Sequence, residues 1–258
     1  MEMEMEMGME MEWEIEMDKK GFTLVELMIA MVISLIVIAG IYNVFISSNR
    51  SYFIQESITG MQQNARASTE FMARELRNAV IIEAIDTTSD NSSITFYTDE
   101  EDSDVGVSTG SNTNTTLNDT TKSWTTNKWQ DKTVAIVDGT GKGQIRTTSS
   151  NTSNKLTVSS NWTTVPDATS VYHIDVENKG FSRTSDDNIL RYTKGGSVNQ
   201  PFTENITSLT LTADDTNINN IKKIDAQLTA RTARTDPNMN DQYHYYTVKT
   251  SIKLRNRD

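Results

Sequence analysis

Between Phe22 and Ile46 the chain runs for 25 residues with a single charge, Glu26. No other stretch limits the possible folds so strongly. As a helix at 1.5 Å per residue, the run is roughly 37 Å long and can cross a bilayer. It is longer than the apolar part of a secretory signal, and no small-x-small cleavage pattern follows it. Lys19 and Lys20 stand just before it. That excess of positive charge predicts a cytoplasmic N-terminus, with residues 47–258 on the far side. Glu26 is the anomaly, because a carboxylate in hydrocarbon costs on the order of 3 kcal/mol even on lenient scales. It lies about 6 Å along the axis from Phe22, close enough to the helix end to reach the headgroups. The other reading is a counter-charge on a neighbouring chain.

Residues 1–16, "MEMEMEMGMEMEWEIE", are nearly a two-letter repeat with seven glutamates and no basic residue. No core can be built from them, so Met17 is expected to begin the chain's own short leader, 17–21. The charge argument changes accordingly. The full chain carries −11, but residues 1–21 hold eight acidic and two basic residues. The remainder has 22 basic and 27 acidic residues, a net −5. With no basic tract, nucleic-acid binding has no electrostatic support. The absence of cysteine removes disulfides, thiolate metal sites and a cysteine nucleophile.

After Ile46 the apolar positions keep helical spacing: Ile54, Ile58, Met61, Ala65, Met72, Leu76 and Ala79, with charged and amide residues between them. One helix is predicted from Phe22 to about Ala84, membrane-embedded over 22–46 and amphipathic over 47–84, with Gly40 and Gly60 as its flexible points. From 85 to 258 the pattern alternates as half-buried antiparallel strands do. Candidate strands are 93–98, 188–193, 206–213, 221–231 and 243–255. Residues from about 105 to 175 differ in texture. They are rich in Ser, Thr, Asn and Gly, hold Trp124, Trp129 and Trp162, and show short strands at 132–138, 143–149, 155–160 and 170–175. They read as a small β module inserted between strands of the main sheet. The expected fold is α+β: a long N-terminal helix packed on an antiparallel sheet, with an inserted β module.

The stretch "KKGFTLVELMIAMVISLIVIAGIY" resembles the N-terminus of type IV pilins and of the pseudopilins of type II secretion. The shared features are a short basic leader ending in Gly21, then Phe22, an apolar run, and Glu26 as the fifth residue of the mature chain. The later stretches 61–79 and 228–256 are similar to the PilW-type minor pilins, related to the J-type pseudopilins. The resemblance covers roughly 17–104 and 176–258. It implies cleavage by prepilin peptidase between Gly21 and Phe22 and N-methylation of Phe22. It implies residence in the bacterial inner membrane as a single-pass protein, then assembly with other pilin and minor pilin subunits into an extracellular pilus. Lys19 and Lys20 are then the basic residues of the leader, and Glu26 is the assembly carboxylate that pairs with the Phe22 amine of a neighbour. The apolar helix lacks the proline, and the C-terminal region the cysteine pair, common in major pilins. Both departures favour a minor subunit. A pseudopilin, or a tip adhesin that takes a surface ligand through the insert, is the alternative.

Other motifs admit sharp and bland readings. In "DEEDSDVG" (99–106), Asp102, Asp104 and Gly106 form a fragment of a calcium loop without its terminal glutamate, so a solvated loop is the default. "DGTGKGQIR" (138–146) fails as a phosphate loop, since Gly143 follows Lys142 where Ser or Thr is needed, and reads as a hairpin turn. The three tryptophans are either a core or a sugar-stacking face. His173 and His244 lack metal spacing, and no nucleophile stands near them. An enzyme is therefore not expected, nor a cofactor.

Overall fold

The computed structural model describes residues 21–197 and 199–255; Lys19 and Lys20 lie outside them. The fold is α+β, a long N-terminal helix followed by antiparallel sheets. Helix α1 covers Leu24–Arg77 and runs unbroken through Gly40 and Gly60. Two compact units divide the chain at Tyr52/Phe53. In the first, no described residue is buried, and the apolar side chains from Phe22 to Phe45 are all exposed.

In the second unit, the part of α1 from Met61 to Leu76 presents Met61, Ala65, Met72, Ala73 and Leu76 to one large core. The helix ends at Arg77, short of the expected limit near Ala84, because β1 (Ala79–Asp86) begins at once. Its β-branched run Val80–Ile82 is buried on both faces, which suits a strand better than a helix surface. The Arg77 carbonyl accepts from Arg255 N at 3.1 Å, closing the helix end against the C-terminal segment.

The remaining strands are β2 (Ser93–Val107), β3 (Thr116–Asn118), β4 (Thr133–Asp138), β5 (Ile145–Asn151), β6 (Lys155–Val158), β7 (Val171–Arg183), β8 (Leu190–Lys194), β9 (Gln200–Thr203), β10 (Ile206–Ala213), β11 (Lys223–Arg231) and β12 (Tyr245–Lys253). Two sheets result. One has nine strands along β1-β2-β7-β4-β5-β6-β3, with β8 and β9 branching from β7; the other has three, β10-β11-β12. The inserted segment does not form a detached sheet. β2 and β7 run through from the main sheet, and β4 hydrogen-bonds to β7. The segment still has its own core, which includes Leu117, Trp124, Trp129, Ile136, Leu156, Trp162 and Tyr172.

The acidic run expected as a loop lies within β2. There the register with β7 jumps from Asp99↔Val176 to Asp104↔Ile174, so β2 bulges between Asp99 and Asp104. Opposite the bulge, Asp175 adopts a left-handed conformation at φ 64°. Arg183 joins the two sheets from a buried position. Its Nε donates to Ile206 O at 2.9 Å, its Nη1 to Asp90 O at 2.9 Å and to Asn91 Oδ1, and its Nη2 to Asn188 Oδ1 at 3.2 Å.

Candidate functional site

The N-terminal site is built from Gly21, Phe22, Thr23 and Glu26. Thr23 caps α1: its carbonyl accepts from Leu27 N at 3.1 Å, and its Oγ1 accepts from Glu26 N at 3.3 Å. Glu26 reaches back, and its Oε2 accepts from Thr23 N and from Thr23 Oγ1, each at 2.9 Å. This is a reciprocal capping box, with Thr at N-cap and Glu at N3. The signal for it in the sequence is the Thr-x-x-Glu spacing of Thr23 and Glu26, just before the apolar run. The carboxylate also lies in the first turn, where the helix dipole favours a negative charge. Among the described residues, Oε1 accepts no hydrogen bond. One carboxylate oxygen thus makes both bonds to the helix end. Phe22 is 88% exposed and nothing crowds Gly21.

Both carboxylate oxygens of Asp104, a candidate calcium ligand, are engaged within the chain. Asp104 Oδ1 holds Lys122 Nζ at 2.6 Å, and Oδ2 accepts from Trp124 Nε1 at 2.6 Å. Partial burial works against the charge of Asp104, but these two partners outweigh it and hold its carboxyl below the usual aspartate range. Asp102 is exposed on the bulge, and among the described residues no three His, Asp or Glu side chains converge as metal ligands. Gly106 has a packing reason instead. A Cβ there would stand 2.4 Å from Tyr172 Oη and 2.6 Å from Asp119 Oδ2. Those two atoms hydrogen-bond at 2.6 Å in the buried interior. Burial, and then the bond to Asp119, push the Tyr172 phenol far up.

The tryptophans form a core rather than an open stacking face. Trp129 is 1% exposed, and Trp124 meets Trp129 and Tyr172 edge-on, with ring centres 6.5 and 6.3 Å apart. The segment 139–144 turns between β4 and β5 with Gly139, Gly141 and Gly143 at positive φ, a hairpin turn as read from the sequence. His173 Nδ1 lies 2.7 Å from Asp99 Oδ1. His244, expected on a strand surface, instead precedes β12, with Nε2 2.9 Å from Asp236 Oδ2 across the 232–244 loop. Neither pair was legible in the sequence, since their members are 74 and 8 positions apart.

A family model described as the prokaryotic N-terminal methylation motif matches residues 17–42. Comparison with curated proteins and with solved structures finds no match. The matched span contains Gly21, Phe22 and Glu26, and begins at Met17, just after the Met/Glu repeat. Together with an exposed helix apolar enough to cross a membrane, it supports a type IV pilin-like or pseudopilin-like protein processed by prepilin peptidase. The same two observations fit a membrane-anchored precursor and a structural role.

Proposed function

We propose that the chain is a minor subunit of a type IV pilus, of the PilW type, which helps to initiate assembly and is incorporated into the filament. The observation that carries this reading is the methylation motif set on a capped helix whose apolar stretch from Phe22 to Phe45 is exposed, with one Glu26 oxygen unengaged among the described residues. Prepilin peptidase cuts between Gly21 and Phe22 after the basic pair Lys19 and Lys20. Phe22 is then N-methylated. The mature chain waits in the bacterial inner membrane with its N-terminus cytoplasmic and its β-rich domain in the periplasm.

On entry into the filament, Glu26 Oε1 meets the Phe22 amine of a neighbour. In surroundings of low dielectric, that pair fixes register as well as adding attraction. The Thr23 cap keeps the carboxylate hydrogen-bonded before the partner arrives, which lowers the cost of holding it in the membrane. The features that separate a minor from a bulk subunit are the proline-free apolar helix and the absence of cysteine. A type II secretion pseudopilin shares every one of these features, and association with secretion components rather than pilus components would select it.

Mass spectrometry of the mature N-terminus tests the reading. The expected product begins at Phe22 and carries one added methyl group on the amine. A chain that retains Lys19–Gly21 in cells with active peptidase overturns it.

A further inference from the structure

A cleft of about 710 Å³ opens where the β4–β5 turn and the start of β7 face the β10–β11 loop. Its volume lies within the range of small-ligand sites. Residues from both the inserted segment and the main domain line it, so no single element provides it. The half-buried Val137 and Val171 contribute apolar surface to its lining.

The polar groups of the lining include both acceptors and donors. Asp138 Oδ1 pairs with Lys142 Nζ at 3.5 Å, and Asp215 Oδ1 accepts from Asn217 N at 2.7 Å. Each carboxylate keeps its second oxygen unengaged among the described residues. His173 also lines the cleft, with its Nδ1 2.7 Å from Asp99 Oδ1. Lys142 and Lys222 supply donors. Asn219, another lining residue, lies over Gly143, and its buried Oδ1 has no partner among the described residues.

Three ligand classes can be weighed against this set. A divalent cation needs converging carboxylates or imidazoles, and no such group of three exists among the described residues. A charged organic ligand of either sign would meet like charge in this lining: a cation Lys142 and Lys222, an anion Asp138, Asp214 and Asp215. A hydroxyl both gives and accepts a hydrogen bond, so it suits a lining that holds donors and acceptors together, and the C–H face of a sugar ring suits Val137 and Val171. We infer that this cleft binds a neutral saccharide, with Asp138 and Asp215 accepting from its hydroxyls and Lys142 donating to them. The inference deepens the tip-display alternative but does not need a filament. Binding is measured on the protein alone, so its failure is distinct from failure of processing or assembly.

The test uses the full chain in detergent micelles, with maltotriose, mannotriose and chitotriose as probes and spermidine as the cationic control. Titration followed by NMR should show saturable binding of at least one trisaccharide. The double variant D138N/D215N should weaken that binding by at least about tenfold and leave the melting temperature unchanged. Asparagine at 215 keeps the oxygen that accepts from Asn217 N, so the loop is preserved. Three results would each overturn the inference: no trisaccharide binds; the double variant binds as the parent does; or spermidine binds and no trisaccharide does.

Discussion

At Glu26 two demands meet in one side chain. Oε2 closes a capping box with Thr23, and Oε1 is the oxygen proposed to meet a neighbour's amine. The two roles separate by substitution. Glu26→Gln keeps an oxygen acceptor for Thr23 but removes the charge. It should insert in the membrane normally and enter filaments at a small fraction of the parent level, read by immunoblot of sheared filaments. Normal incorporation would show that capping alone is required. Thr23→Ala removes the cap instead and should cost about 1 kcal/mol of helix stability at this end, read as faster amide exchange at residues 24–27. Gly106 is the second residue with a single physical cause. Gly106→Ala drives a methyl group into the Tyr172–Asp119 hydrogen bond. It should destabilise the β-rich unit by about 1–3 kcal/mol, read by thermal denaturation.

At the scale of elements, the junction of the two sheets depends on Arg183. Burial tends to lower the pKa of its guanidinium, while Asp90 and Asp187 favour its charge. It satisfies acceptors from three chain segments. Arg183→Met leaves those buried acceptors unpaired and should cost on the order of 3 kcal/mol or more; lysine, a point charge without the planar fork, should recover only part of that. On β2 and β7 the acidic residues make stability depend on pH in opposite senses. A hydrogen bond shared with Glu177, aided by burial, raises the pKa of Glu100. Its protonated form is therefore favoured on folding, and that contribution is lost as pH rises through the raised value. Asp104 is held below its ordinary value, so its contribution is present above that value and is lost as pH falls through the depressed one. Glu100→Gln should accordingly raise stability at neutral pH and flatten its decline above the acid range, measured by urea denaturation at pH 4 to 7.

For the whole molecule, the inserted segment has a core separate from the one under α1, yet shares its two longest strands with the main sheet. A deletion of 105–175, the boundary suggested by composition, would cut into both strands. Replacing 108–170 by a short turn keeps β2 and β7 whole. That variant should retain the packing of α1 on both sheets, seen as a cooperative melt, and should still be processed at Gly21. Loss of surface attachment with intact piliation would locate display in the insert. Loss of folding would show that the two cores depend on each other.

Much of this was written in local pattern. The membrane-length run, the lone carboxylate, the Thr-x-x-Glu cap and the alternation of β10, β11 and β12 are repeats within a few residues, and short-range sterics and solvation decide them. The tertiary structure alone decided the end of α1 at Arg77, because the run from Ala79 to Ile82 suits helix and strand alike until it is buried on both faces. It alone showed that Asp104 is occupied by Lys122 and Trp124, that Gly106 makes room for Tyr172, and that the inserted segment continues the main sheet. The cleft between the β4–β5 turn and the β10–β11 loop belongs with these. Asp138, His173 and Asp215 are far apart in sequence, and only the packing of distant elements brings them to one opening. Periodicity records which face of an element is buried; it carries no record of which distant side chain will lie against that face.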